Sequence, residues 1–264
     1  MLRQPAPSAS TGGREVSCAS CHLRESCLSG GVPAENLERV ESIVYVRRRL
    51  KRGEALFRAG GEFHSVYAIR SGFFKTSLID DNGREQVTGF FMAGELLGLD
   101  GVGSGRHKGH AIALEDSDVC MMPYALIEKI GRDVPSLQRR LHATLAREIV
   151  RSQGVMLLLG SMSAEERLAE FLIDLSRRFQ RRGLSGSSFV LRMTRAEIGS
   201  YLGLKLETVS RLFSAFHEHG LLEVQNRQVS IVGAKDLERL LADYRGRNTR
   251  KYWRGRKPCS PASA

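Results

Sequence analysis

Within ten residues the sequence places three soft ligands, Cys18, Cys21 and Cys27, in the run Cys-Ala-Ser-Cys-His-Leu-Arg-Glu-Ser-Cys. Three thiolates can grip one inorganic centre but do not complete it, because a tetrahedral zinc or a four-iron cluster takes a fourth ligand. Two further cysteines exist, Cys120 in an apolar strand-like run and Cys259 in a Pro- and Ser-rich tail. On that ground Cys120 is the better fourth ligand. A partner so remote in sequence has a mechanical consequence, since assembling or destroying the centre moves residues 18–27 against the body of the chain. Zinc commonly takes two close cysteine pairs, so a trio with a distant singlet favours a cluster while leaving a structural zinc site as the alternative.

A second constellation lies at residues 193–216. Thr194 and Glu197 have the spacing of a capping box and set a helix start at Arg195. Apolar Ile198, small Gly199, apolar Leu202, the turn residue Gly203, Leu204, Val209 and Leu212 then follow at the positions of a helix-turn-helix. In the second helix Val209, Leu212, Phe213 and Phe216 share one face, and Glu207, Ser210 and Arg211 the other, with Thr208 beside them. Arg can donate twice to a guanine edge, Glu can accept from cytosine N4, and Ser can bond a base or a phosphate. The alternative is a solvated i, i+4 ion pair between Glu207 and Arg211. Residues 221–231 read as a two-stranded wing whose Asn226-Arg227 turn reaches phosphate.

These sites need elements to hold them. The 264 residues are enough for two cored domains, with hydrophobic content of 42% and a formal charge of +11 that suggests a polyanionic partner. From residue 44 to 122, short apolar or alternating runs are punctuated by Gly-rich turns, the pattern of a β-sandwich or roll. From Ser136 the chain reads as one helix of more than twenty residues. Along it Leu145, Ile149, Ser152, Met156 and Leu159 step by four and three like a coiled-coil seam, with polar Ser152 weakening the pairing. There is no apolar secretory core at the start and no run long enough to cross a bilayer, so a cytoplasmic protein without membrane association is expected. Clustered cysteines in a reducing compartment read as metal ligands before disulfides. Neither a Gly-rich dinucleotide loop nor a Ser/His/Asp grouping is evident, so no enzyme is expected.

The cysteine spacing, the runs Tyr67-Ala68-Ile69-Arg70-Ser71-Gly72 and Ala164-Glu165-Glu166-Arg167-Leu168-Ala169, and Glu207-Thr208-Val209-Ser210-Arg211 closely resemble the oxygen-sensing FNR proteins of the CRP/FNR regulator superfamily. The resemblance covers residues 18–240. It implies a [4Fe-4S] cluster on Cys18, Cys21, Cys27 and Cys120, a homodimer while the cluster is intact, and loss of dimer and DNA binding when oxygen degrades it. It also implies a palindromic double-stranded DNA site in front of anaerobic respiration genes, and RNA polymerase contacts near Ser71 and Gly83. Cyclic-nucleotide sites of the superfamily present Gly-Glu-Leu and, further on, Arg, a small hydroxyl residue and Ala. Here Gly94-Glu95-Leu96 is present, but Gly109-His110 precedes Ala111 and Arg106 is out of position, so no cyclic nucleotide is expected.

The expected architecture is α+β. A flexible ligand segment spans residues 1–28, a jelly-roll-like β-roll of the cyclic-nucleotide-binding type residues 29–133, a dimerisation helix residues 134–160, and a winged helix-turn-helix domain residues 161–243. A basic, disordered tail follows over residues 244–264.

Overall fold

The computed structural model describes residues 18–44 and 46–245, with side chains to residue 241. The expected lead-in over residues 1–17 and the tail bearing Cys259 lie outside the described residues.

A short helix α1 (Leu37–Glu41) precedes eight antiparallel strands. These are β1 (Val46–Leu50), β2 (Ala55–Phe57), β3 (Ser65–Ser71), β4 (Phe73–Ile79), β5 (Glu85–Met92), β6 (Leu96–Leu97), β7 (His110–Ala113) and β8 (Ser117–Pro123). They form two sheets, ordered β1-β8-β3-β6 and β2-β7-β4-β5. Alternation along the pleat decides which face each side chain takes. Leu50, Ile69, Phe74, Phe91 and Val119 meet between the sheets in one core. Cys120 and Met122, one and three residues past Val119, fall instead on the outer face of the first sheet. The polar β1, with Arg47, Arg48 and Arg49, shows none of the apolar alternation by which the other strands are legible. It is held as an edge by pairing with β8.

Each sheet has its outer face covered by a different part of the chain. The first is covered by Leu28, Val32, α1, α2 (Tyr124–Asp133) and the start of α3 (Pro135–Ser161). The second, through Phe73, Val87, Phe90 and Met92, packs against the C-terminal helices. Pro123 precedes α2, and Pro135 opens α3, where the missing N–H costs no hydrogen bond. At 27 residues α3 is about 40 Å long. It links the two covered faces.

Beyond it come α4 (Ala164–Gln180), β9 (Ser188–Val190), α5 (Arg195–Leu202), α6 (Leu206–Glu218), β10 (Leu222–Gln225), β11 (Gln228–Ile231) and α7 (Ala234–Arg245). Sequence reading expects a two-stranded wing after a loop ending at Ser188; the wing has three strands, ordered β10-β11-β9. The added strand is three residues long and buries only Phe189, too little pattern to register as a strand by itself. Among the described residues no helix is long and apolar enough to cross a membrane.

Candidate functional site

Residues 18–31 fold as a chain of turns. Cys21 N donates to Cys18 O at 3.3 Å, Arg24 N to Cys21 O at 3.0 Å, and Cys27 N to both Leu23 O and Arg24 O at 3.0 and 3.1 Å. Leu23 and Leu28 are buried and anchor the coil. Cys120 approaches from β8, paired with Arg47 on one side and Ala68 on the other. Cys27 and Cys120 pack against one apolar cluster on that sheet face.

The four sulfurs lie within electrostatic reach of one another. Burial pushes the Cys18 thiol up to about 12, reinforced by Cys27, Glu41, Cys120 and Cys21. Burial, then Cys27, lifts Cys120 to about 11. Burial also raises Cys27, opposed by the backbone N–H groups of Ser29 and Leu28, which favour its thiolate. Such thiols stay protonated at neutral pH unless a cation claims them. Among the described residues, however, no three His, Cys, Asp or Glu side chains gather as a set for one metal ion. A zinc–thiolate bond is about 2.3 Å, so zinc would demand tight convergence. A four-iron cluster instead spreads its thiolates over separate irons. The donor set is all sulfur, a chemistry that a four-iron cluster takes.

The long helix presents different faces along its length. Leu145 is partly buried in the cluster that holds Cys27 and Cys120, and Leu159 packs on the C-terminal core. Between them Ile149 and Met156 are 59% and 72% exposed, and Val150 and Leu157, which the seam spacing did not include, 66% and 54%. Ser152 is also exposed, its hydroxyl donating back to Glu148 O at 2.9 Å. Thus the five seam residues divide, two turned toward the chain's own cores and three toward solvent. The exposed apolar stripe is rotated by about one position from the expected seam.

The helix-turn-helix is built locally. Thr194 Oγ1 accepts from Glu197 N at 3.2 Å while Glu197 Oε2 accepts from Thr194 N at 2.7 Å, closing the capping box that starts α5. A Cβ on Gly199 would stand 2.6 Å from Leu204 O, so only glycine lets the turn cross α5 this closely. Gly203 ends α5 at φ +64. Val209, Leu212, Phe213 and Phe216 are buried, whereas Glu207, Ser210 and Arg211 are exposed and Thr208 is half-buried. No ion pair joins Glu207 to Arg211 among the described residues, so both side chains are available to a partner. Arg195, unremarked in the sequence beyond starting the helix, lies over the Phe213 ring at 3.2 Å and locks α5 to α6. Asn226, at φ +56, makes the two-residue wing turn that leaves Arg227 exposed.

Two buried ionic groups fasten this helix-turn-helix to the roll, and spacing did not reveal either. Glu95 receives Arg178 at 2.7 Å and Arg182 at 2.6 Å, both from the α4 end of the chain. Burial pushes its carboxyl up, but Arg178, Arg151 and Arg182 outweigh that and hold it below the usual range. Arg178 and Arg182 lie in the run Arg177-Arg178-Phe179-Gln180-Arg181-Arg182, whose i, i+4 spacing places both on one side of the chain without announcing their acidic partner. Lys75 joins Glu85 at 3.0 Å and Glu197 at 3.1 Å, beside Ser200 Oγ, which accepts from Val87 N at 2.9 Å. Arg167 donates to Leu159 O, Met162 O and Leu202 O, tying the end of α3 to the end of α5.

Glu95, the acid of the Gly-Glu-Leu motif, is therefore already saturated, and Arg106 is spent on Gly60 O at 2.7 Å. Ser71 and Gly83 are exposed at opposite ends of β4, about 20 Å apart along the strand, and are not brought together.

The Crp-like helix-turn-helix domain family matches residues 166–241, and the cyclic nucleotide-binding domain family residues 47–133. The chain is 42% identical over 224 residues to the transcriptional regulatory protein btr of Bordetella pertussis, covering 85% of this chain and 93% of that protein. It is 40% identical over 221 residues to the fumarate and nitrate reduction regulatory protein of Escherichia coli, covering 84% and 88%. The solved structure of FixK2 from Bradyrhizobium japonicum matches with a TM-score of 0.68 at 31% identity, covering 74% of this chain and 96% of that one.

Proposed function

The chain belongs to the CRP/FNR superfamily of transcription regulators, and from that premise we propose an oxygen-responsive switch. In it a [4Fe-4S] cluster on Cys18, Cys21, Cys27 and Cys120 governs pairing of two copies along α3, and with it binding to palindromic double-stranded DNA. When bound, such a cluster supplies the oxygen chemistry, since its iron and sulfide are lost on oxidation. Everything else falls to the protein's own residues.

Cys18, Cys21 and Cys27 sit in the N-terminal turns and Cys120 on the sheet, so these four residues would hold a shared centre between the two. Leu145, packed beside them, carries that arrangement into α3. Ile149 and Met156, with Ser152 between them, offer the pairing surface, and Leu159 passes the position of α3 to the reading head. Glu207, Thr208, Ser210 and Arg211 read base edges in the major groove, and Arg227 anchors on phosphate. Each half-site is weak alone, and pairing raises affinity through effective concentration. The name of the Escherichia coli relative supports control of anaerobic respiration genes. RNA polymerase is the proposed second partner, met at two separate turns marked by Ser71 and Gly83. The protein acts in the cytoplasm, as a regulator rather than an enzyme, without a cyclic nucleotide.

The observation that carries this reading is the sequence of surfaces along one helix. At one end α3 packs beside Cys27 and Cys120, in its middle it exposes an apolar stripe, and at its end it joins a helix-turn-helix. The test is iron, sulfide and zinc content of protein purified without oxygen, with molar mass before and after air. About four irons and four sulfides per chain, in a dimer that dissociates in air, is the expected result. One zinc per chain with unchanged mass would instead leave a DNA-binding protein with a structural metal.

A further inference from the structure

We propose that Arg140 is the positioning residue through which the state of the cysteine segment reaches the pairing face of α3. The proposal rests on the cluster reading above. Arg140 lies in the second turn of α3, and its side chain crosses to the ligand segment, 113 residues away in sequence. There Nε donates to Cys27 O at 3.0 Å and Nη2 donates to Glu25 O. The acceptors are main-chain carbonyls of the turn that closes on Cys27. A guanidinium is a rigid fork, so it engages two such acceptors only while the loop keeps one shape. Among the described residues Arg140 bonds carbonyls rather than a sulfur, so it senses the path of the backbone that carries Cys27.

Gly30 completes the fit. A Cβ there would stand 2.8 Å from Glu25 O, 2.9 Å from Arg24 O and 3.0 Å from Arg140 Nη2. Loop, glycine and guanidinium thus pack too closely for any side chain to enter. On the helix side, Thr144 Oγ1 donates to Arg140 O at 2.9 Å and accepts from Arg147 Nη2 at 2.7 Å, which links Arg140 to the next turn. Ile149, the first residue of the exposed stripe, lies nine residues on, about 14 Å along the axis. Over that distance a helix moves as a rod.

The neighbouring attachments of α3 differ in kind. Leu137 and Leu141 bury apolar surface and tolerate small slides. The two charge-assisted hydrogen bonds of Arg140 are directional, and reshaping the loop removes both at once. Release of Cys27 from a centre shared with Cys120 would let that loop reshape, and Arg140 would convert the change into the seating of α3.

The test uses the full chain purified without oxygen, as wild type, Arg140→Gln and Arg140→Lys. For each, the dimer dissociation constant is measured by sedimentation before and after air, with iron, sulfide and the absorption spectrum recorded alongside. In the wild type the ratio of the two constants is expected in the roughly 5–150-fold range of linked sites. Arg140→Gln should keep iron, sulfide and spectrum while the ratio falls toward one. Arg140→Lys, which reaches one carbonyl but not both, should restore part of it. A purely structural role would shift both constants together and leave the ratio unchanged, which would overturn the proposal, as would loss of iron from Arg140→Gln. Wild type without iron and sulfide, or with one constant throughout, would defeat the cluster reading and this proposal with it.

Discussion

The two outer faces of the β-roll are covered by opposite means. On the first, the cysteine segment is held by main-chain turns, two buried leucines and the arginine fork on its carbonyls. On the second, the reading head is held by Glu95 between two arginines and Lys75 between two glutamates. An aromatic group of Phe90, Phe171 and Tyr201, with centroids 5.3 to 5.9 Å apart, adds to that joint. A buried ion pair contributes little net stability when compared with an apolar replacement, but breaking one partner leaves an uncompensated charge. Such a joint resists partial opening. Among the described residues the cysteine face has no buried ion pair, and burial keeps its thiols neutral until a cation claims them. One face is thus built to keep an orientation, and the other, in the proposed switch, to change with what it binds.

The largest expected effect breaks the rigid face. Glu95→Gln removes the buried carboxylate that Arg178 and Arg182 share, leaving Arg178 only the half-exposed Asp174, and should cost about 3–5 kcal/mol, read as a lower midpoint in urea unfolding. Iron and sulfide content should not change; a loss of both would mean that the two faces are one unit. The same joint has an acid limit. The carboxyl of Glu95 is depressed in the folded state, so its stabilisation is full above the unfolded value of about 4.3 and is lost as pH falls through the lower folded value. Unfolding curves for wild type and Glu95→Gln should therefore draw together only as pH falls through that lower folded value.

Cys120→Ala probes the other face. It should abolish the oxygen response, so that a difference in operator affinity of about 5–150-fold between anaerobic and aerated protein falls to one. The reading head should keep its fold, as reported by the amide protection of α5 and α6. Continued oxygen dependence in this variant would remove Cys120 from the ligand set.

Within the reading head, Arg211→Ala should cost about 1–3 kcal/mol at one base position, while Arg227→Ala weakens all sequences alike and lowers the salt slope by about one. Binding to a panel of single-base operator variants separates them. Equal losses across the panel for both would erase the division between base reading and phosphate anchoring.

Local chemistry was legible in the sequence, and long-range chemistry was not. The capping box at Thr194 and Glu197, the close approach at Gly199 and the buried face of α6 follow from neighbours a few residues apart, and all three take the expected form. The β-roll was visible because its strands alternate, except β1, whose three arginines hide the pattern. Spacing alone suggested a seam through Leu145 and Leu159, but those side chains are drawn to cores formed by distant segments, leaving Val150 and Leu157 exposed instead. Glu95 and Arg178 are 83 residues apart, so no local pattern announces their pairing. Charge composition pointed to nucleic acid, yet two of the arginines in that excess are spent inside the protein.

The smallest expected effect sharpens the comparison, because it acts where local and long-range chemistry share one side chain. Glu197 uses Oε2 to cap α5 through Thr194 and Oε1 to reach Lys75 on β4. Thr194→Ala removes the reciprocal cap, for about 1 kcal/mol, but leaves the ion pair intact. Glu197→Gln weakens both and strands a largely buried Lys75 beside Glu85 alone, so its cost should exceed that of the cap. In a Lys75→Met background the excess should disappear, because no cation remains to be stranded, and the two substitutions should then cost nearly the same. If the excess persisted there, Glu197 would be stabilising α5 alone, and the second face would rest on Glu95 and the aromatic packing without the lysine.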